Sequence, residues 1–232
     1  KRHLKVVVDY AFSGAATIFS QVLGKLKCEV IALNSYQDEM PPTRNAQEGQ
    51  IALEHLANIV KSVGADLGLM LDGNAERLRF VDDRGHLIGD EESLVAWVSL
   101  VFAVNPEARV AVPVSTTHVL ESIAAKNHGA IIRTKTSSRA LMNAASGEKV
   151  LFCGDPHGGT IFPDFQAVFD GMMSGAKMIE FVCKSEKPLS RIVEDLPRFF
   201  IENRQVPCPW EAKGQVMRFA MEYASGHETI LI

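Results

Sequence analysis

No Cys-x-x-Cys pair occurs in the sequence: Cys28, Cys153, Cys183 and Cys208 are widely scattered. That spacing argues against a zinc site, and reduced thiols in a cytoplasmic protein are its simplest account. No apolar stretch reaches the roughly 18 residues that a membrane helix needs. The opening Lys1-Arg-His-Leu-Lys-Val-Val-Val-Asp9 has too short an apolar run for a signal peptide and reads as a strand. Nor is there a basic run. With a formal net charge of −4, nothing draws the chain toward nucleic acid or an anionic membrane. What remains is the balance of a soluble globular protein, 47% hydrophobic and 22% charged. Its 232 residues suffice for one large or two ordinary domains.

The most informative stretch is Leu67–Gly85. An apolar run from Leu67 to Leu71 ends at Asp72, a tight loop follows, and a second run from Leu78 to Val81 leads to Asp82-Asp83-Arg84-Gly85. Asp72, Asn74 and Glu76 alternate, so a curled loop can aim three oxygen donors at one point. That suits a hard cation such as Mg²⁺, which takes oxygen ligands at about 2.0–2.1 Å. Gly73 lets the backbone approach closely. The competing reading is a plain Asp-Gly turn, and the loop by itself leaves both open.

Along the chain, Lys5–Asp9 reads as a buried strand, a helix runs from Ser13 to about Leu26, and Cys28–Leu33 is the next strand. This strand–helix–strand unit favours parallel pairing. Asp38–Arg44, with Met40-Pro41-Pro42, is irregular. Apolar spacing predicts a helix over Glu48–Val63, stopped at Gly64. A helix from Glu91 to about Val104 has Asp90 as its N-cap, and Asn105-Pro106 marks a domain boundary. The second half repeats the theme. Strands at Arg109–Val114, Ala130–Arg133 and Lys149–Cys153 alternate with helices at His118–Asn127 and Ser137–Ser146. Two further helices are read at about Phe165–Cys183 and Ser190–Phe200. Gln205–Cys208 is extended, Glu211–Ser225 helical, and Thr229–Ile232 opens a strand. The expected division is therefore 1–105, 106–204 and 205–232.

Three stretches resemble the α-D-phosphohexomutases, the phosphomannomutase/phosphoglucomutase family. Asp72-Gly-Asn-Ala-Glu-Arg77 is similar to the family's metal loop, Asp-Gly-Asp-Ala-Asp-Arg; Asn74 and Glu76 replace two of its three carboxylates. Gly154-Asp-Pro-His-Gly-Gly159 falls where the family carries Gly-Glu-x-Ser-Gly-His, whose Glu and Ser hold sugar hydroxyls. Arg133-Thr-Lys-Thr-Ser-Ser-Arg139 resembles a stretch whose lysine, at the position of Arg139, helps hold the phosphosugar. The order of motifs matches over nearly the whole chain. The family's phosphoserine motif and its terminal phosphate-gripping loop do not occur in this sequence.

The resemblance implies an α/β fold: two tandem phosphohexomutase-type domains, II and III, each a small mostly parallel mixed sheet flanked by helices, then a truncated start of domain IV. It implies interconversion of hexose 1-phosphate and 6-phosphate by phosphoryl transfer assisted by Mg²⁺. Asp72, Asn74 and Glu76 would be the metal ligands, Arg77 and Arg139 the cations, and Asp155 and His157 the sugar contacts. Asn74 removes one charge, so weakened Mg²⁺ binding is expected. The implied partners are a hexose phosphate and the missing domains of the same polypeptide, and the resemblance also admits a fused sugar-1-phosphate nucleotidyltransferase. The alternative is a degenerate mutase-like module that binds sugar phosphate or a partner domain without turnover. Two features are set aside as decoys. Ser115-Thr-Thr-His118 looks like a nucleophile beside a base, but such pairs come from fold geometry, not from neighbours in sequence. Asp82-Asp83 reads as a solvated turn.

Overall fold

The computed structural model describes residues 3–36, 44–147, 149–202, 204 and 206–226. Most of the expected irregular segment 38–44 and the expected strand 229–232 lie outside the described residues. The first half runs β1 (Lys5–Asp9), α1 (Ala15–Lys25), β2 (Glu29–Leu33), α2 (Ala46–Val63), β3 (Leu67–Leu71) and β4 (Leu78–Val81). Helix α3 (Asp90–Val104) leads into the second half. There β5 (Arg109–Pro113), α4 (Val119–Lys126), β6 (Ala130–Thr134), α5 (Ser138–Gly147), β7 (Phe152–Gly154) and β8 (Thr160–Ile161) follow in the same pattern. Helices α6 (Gly171–Ser185) and α7 (Leu189–Glu194) close that half, and a 3-10 turn at Trp210–Ala212 precedes α8 (Lys213–Ser225).

The two sheets have one topology. Strand order is β2-β1-β3-β4 in the first and β6-β5-β7-β8 in the second, with the last strand antiparallel in each. Alternation along the strands sorts the side chains into layers. Val7 faces outward beneath α2, against Leu53, Leu56 and Val60. Val6 and Val8 face inward. In the second sheet Ala111 faces outward beneath α5, while Val110 and Val112 face inward. The inward faces of both sheets share one continuous core.

Helices α3 and α6 fill the space between the sheets. Helix α3 is buried on nearly every side, from Ser93 to Phe102, as expected of a helix apolar all round. Trp97 sits at its centre. Its ring stacks on Phe152 at 5.8 Å and meets Phe80, Phe162 and Phe181 edge-on at 5.9–6.2 Å between centroids. Its Nε1 is buried without a hydrogen-bond partner, which costs about 1–3 kcal/mol. Burying an indole of ~200 Å² contributes about 5 kcal/mol, so packing wins. Helix α6 reaches back to the first sheet: a Cβ on Gly175 would lie 2.6 Å from Phe19 of α1.

Several boundaries differ from the sequence expectation, each for a local reason. Gly64 does stop α2, in the left-handed conformation at φ +60°. Gly89, not Asp90, caps α3, and the Glu92 carboxylate accepts the Gly89 N–H at 3.3 Å. Helix α6 starts at Gly171 because Asp170 caps it, accepting the Met173 N–H at 2.8 Å. Helix α7 stops at Glu194, well short of Phe200, because Pro197 disfavours helical geometry in the residue before it. The Asp82-Asp83 pair is not solvated. Asp82 is 2% exposed and accepts the N–H groups of Arg84 and His86, both at 2.8 Å. Asp83 caps the approach of α7, accepting the Ser190 N–H at 2.9 Å.

The shared core sets a test. Trp97→Ala is expected to cost about 3–5 kcal/mol in denaturant unfolding. Amide protection should fall in β1, β3, β5 and β7 together; loss confined to one sheet would contradict a common core.

Candidate functional site

Each sheet ends its third strand in an aspartate loop. Asp72 follows β3. Its Oδ1 accepts the N–H groups of Glu76 at 2.8 Å and Arg77 at 3.2 Å, and its carbonyl accepts the Ala75 N–H at 3.0 Å. Ala75 takes a positive φ of 55° to close the turn. Asp155 follows β7 and does the same: its Oδ1 accepts the N–H groups of His157 at 2.7 Å and Gly159 at 3.1 Å. Both carboxylates thus clip their own loops, which suits a short polar turn at the carboxyl end of a strand.

The two loops are joined to each other. Leu78 N–H donates to the Gly158 carbonyl at 2.9 Å, and Arg77 and Gly159 form an antiparallel bridge. The Gly171 N–H of α6 donates to the Ala75 carbonyl at 2.8 Å. Close approach explains the glycines: a Cβ on Gly158, at φ +85°, would sit 2.5 Å from the Leu78 carbonyl oxygen. A guanidinium–carboxylate contact completes the junction, Arg77 Nη2 lying 3.7 Å from Asp155 Oδ2. The Arg77 guanidinium also lies over the Phe169 ring, 6.0 Å from its centroid.

A cleft of about 690 Å³ opens beside this junction. Asp72, Asn74, Arg77 and His157 of the sequence-derived set line it. Glu76, Asp155 and Arg139 do not. Arg139 stands exposed on α5, outside this cleft. The arginine of that stretch that is built into the fold is Arg133. It binds Glu121 through two 2.8 Å contacts and donates to the carbonyls of Pro113, Thr116 and Thr117. The Thr116 hydroxyl donates to the Pro113 carbonyl at 2.9 Å, and His118 is exposed, so the Ser115–His118 decoy forms no catalytic pair. Sequence reasoning missed three charged cleft residues: Arg44, Arg79 and Asp90. Asp90 accepts from Arg79 Nη2 at 3.2 Å and lies 3.5 Å from His157 Nδ1. A signal for Arg79 existed: it lies two residues past Arg77, and strand side chains alternate.

Two family models match the chain: phosphoglucomutase/phosphomannomutase alpha/beta/alpha domain II over residues 1–85 and domain III over residues 89–200. The chain belongs to the phosphoglucomutase/phosphomannomutase family. It is 32% identical, over 93% of its length, to a Methanopyrus kandleri protein named "Probable phosphoglucosamine mutase", covering 48% of that protein. It is 31% identical, over 86% of its length, to the "Phosphoglucomutase/phosphomannomutase" of Thermococcus kodakarensis, covering 44% of it. The chain therefore spans about half the length of the curated relatives it matches. A solved family structure from Burkholderia thailandensis superposes with a TM-score of 0.75 at 24% identity, over 85% of this chain and 43% of that one. The domain III model includes α3, which the Asn105-Pro106 division leaves in the first half.

Phosphohexomutase membership raises the question of Mg²⁺, and the donors present do not fit it as a resident ion. Among the described residues no three His, Cys, Asp or Glu side chains gather as a metal-binding group. In the loop Asn74 is neutral, Glu76 lies outside the cleft lining, and Asp72 Oδ1 is occupied by two backbone N–H groups. Of the expected ligand set, Asp72 and Asn74 line the cleft and Glu76 does not. No helix among the described residues is long and apolar enough to cross a membrane.

Behind the cleft, burial pushes the Glu91 carboxyl above the usual carboxylate range, opposed by the Thr117 N–H, His157 and Arg133. Cys153 is buried in β7, and its thiol is pushed up to about 12.

Two outcomes are expected. Gly158→Ala should destabilise the fold by at least about 1–2 kcal/mol, from backbone strain plus the clash with Leu78; an unchanged denaturation midpoint would contradict the junction. For Glu91 the folded-state pKa is raised, so its stabilising contribution is present below the unfolded value and lost as pH rises through the folded one. Glu91→Gln should therefore stabilise the protein more at about pH 7 than at about pH 4 in urea melts. An equal gain at both pH values would refute this.

Proposed function

We propose that the chain forms the central, ligand-holding half of a phosphohexomutase acting in the cytoplasm. Its cleft would hold a hexose phosphate during interconversion of the 1-phosphate and 6-phosphate forms. The observation that carries this reading is the joining of the Asp72 and Asp155 loops, through Leu78, Gly158 and the Arg77–Gly159 bridge, beside one cleft. A catalytic scaffold gains from such prearranged loops, because positioning is fixed before the ligand arrives. Arg77 offers a charged donor for a phosphate oxygen, and the His157 ring, exposed at the cleft mouth, offers a hydrogen-bonding edge to a sugar hydroxyl. On this reading the phosphoserine and the terminal phosphate grip belong to other domains of the same polypeptide. A fused sugar-1-phosphate nucleotidyltransferase is compatible with it.

A second reading is favoured by Asn74 and by the engagement of Asp155 Oδ1 in its own loop: a mutase-like module that binds sugar phosphate, or packs on a partner domain, without turnover. A coupled mutase assay on the full-length protein separates the two. It would use mannose 1-phosphate or glucose 1-phosphate, Mg²⁺ and a hexose 1,6-bisphosphate primer, with Asn74→Asp alongside. Turnover by the native protein is expected on the first reading. Turnover in the Asn74→Asp variant alone would mean a site that has lost its metal, and silence in both would leave the non-catalytic module.

A further inference from the structure

The cleft holds two arginines that the family motifs do not account for. Arg79 reaches it from β4, and Arg44 reaches it from the approach to α2. With Arg77 they bring three guanidinium groups to the cleft; Asp9, Asp155 and Asp90 pair with Arg44, Arg77 and Arg79 in turn, and Asp72 lines the cleft beside them. Both added arginines are held in place. The Asp9 carboxylate, 2% exposed, fixes Arg44 through contacts of 2.9 and 3.3 Å. Asp90 holds Arg79 through Nη2 at 3.2 Å, which leaves the rest of that fork for another anion. The same Asp90 stands 3.5 Å from His157 Nδ1, so Arg79 and His157 are gathered on one side of the cleft.

The charge balance differs from that of the family loop. Three carboxylates and one arginine leave a loop strongly negative, and a phosphate can approach it only with a divalent cation between them. Here Asn74 removes one negative charge and Arg79 adds a positive one, so the segment from Asp72 to Arg79 is formally neutral. Asp72 Oδ1 already accepts two N–H bonds, which leaves Oδ2 as that carboxylate's remaining donor oxygen.

We infer that Arg79 and Arg44, which line one cleft with the His157 ring, form a phosphate-monoester subsite that binds without Mg²⁺, the guanidiniums taking the place of the ion. The identity of the ligand as a hexose phosphate rests on the function proposed above; the subsite itself rests on the arginines. Bidentate guanidinium–phosphate contacts give such a site both strength and direction.

Calorimetric titration of the full-length protein tests this, with glucose 1-phosphate and inorganic phosphate as separate probes, each in EDTA and in excess Mg²⁺. Both probes are expected to bind in EDTA, with affinity unchanged by Mg²⁺. Arg79→Ala should weaken both by about tenfold or more, with Arg79→Lys intermediate. Melting curves establish that the variants are folded. Asn74→Asp, which restores a carboxylate, should weaken binding in EDTA and make it Mg²⁺-dependent. Binding of glucose 1-phosphate only with Mg²⁺, untouched by Arg79→Ala, would overturn the subsite and leave the hexose-phosphate reading standing. Equal affinity for the two probes, lost in Arg79→Ala, would support the subsite and remove the hexose. No binding of either probe would overturn both.

Discussion

The main-chain bond from Leu78 to Gly158 is the constraint on which the site depends. It makes one wall out of two loops that belong to different sheets. Neither loop can shift without the other, because Arg77 and Gly159 pair beside that bond and Gly171 ties the start of α6 to Ala75. Each such bond contributes only about 1 kcal/mol to stability. Their effect is positional: they fix where Arg77 and His157 stand relative to Asp72 and Asn74. The cost appears as glycine at 158 and 171, where a Cβ would meet backbone oxygens at 2.5 and 2.8 Å.

That wall is supported by the core beneath it. The Trp97 cluster joins Phe80 of β4 to Phe152 of β7, the strand just before the Asp155 loop. Helix α6 packs on the first sheet although it follows the second in sequence. The two halves therefore interlock, and the cleft sits at the carboxyl ends of strands from an interlocked pair of sheets, where open α/β folds place ligands.

Much of this was legible in the sequence. Val-rich Lys5–Asp9 and the apolar run Leu67–Leu71 mark buried parallel strands, and Gly64 marks the end of α2, because local chemistry decides these features. The Asp72–Arg77 loop was legible as a loop, and the family it resembles is the family to which the chain belongs. Long-range contacts were not legible. Nothing local in Arg77 names Gly159 as its bridge partner, and nothing in Arg139 shows that Arg133, six positions earlier, is the arginine locked into the fold. Asp82 looked like a solvated turn residue, yet it is buried by serving the backbone of its own turn. Asp90 looked like a helix cap, yet Glu92 serves Gly89 and leaves Asp90 to hold Arg79 and His157.

The central claim is that the joined loops line one hexose-phosphate site. Its most direct test is a map of backbone amide chemical-shift changes in the isotopically labelled full-length protein as glucose 1-phosphate is added. The account predicts changes at Asp72–Arg79 and at Asp155–Gly159 that saturate together with one dissociation constant. Changes confined to one loop, or clustered away from both while the protein binds the sugar phosphate, would contradict it.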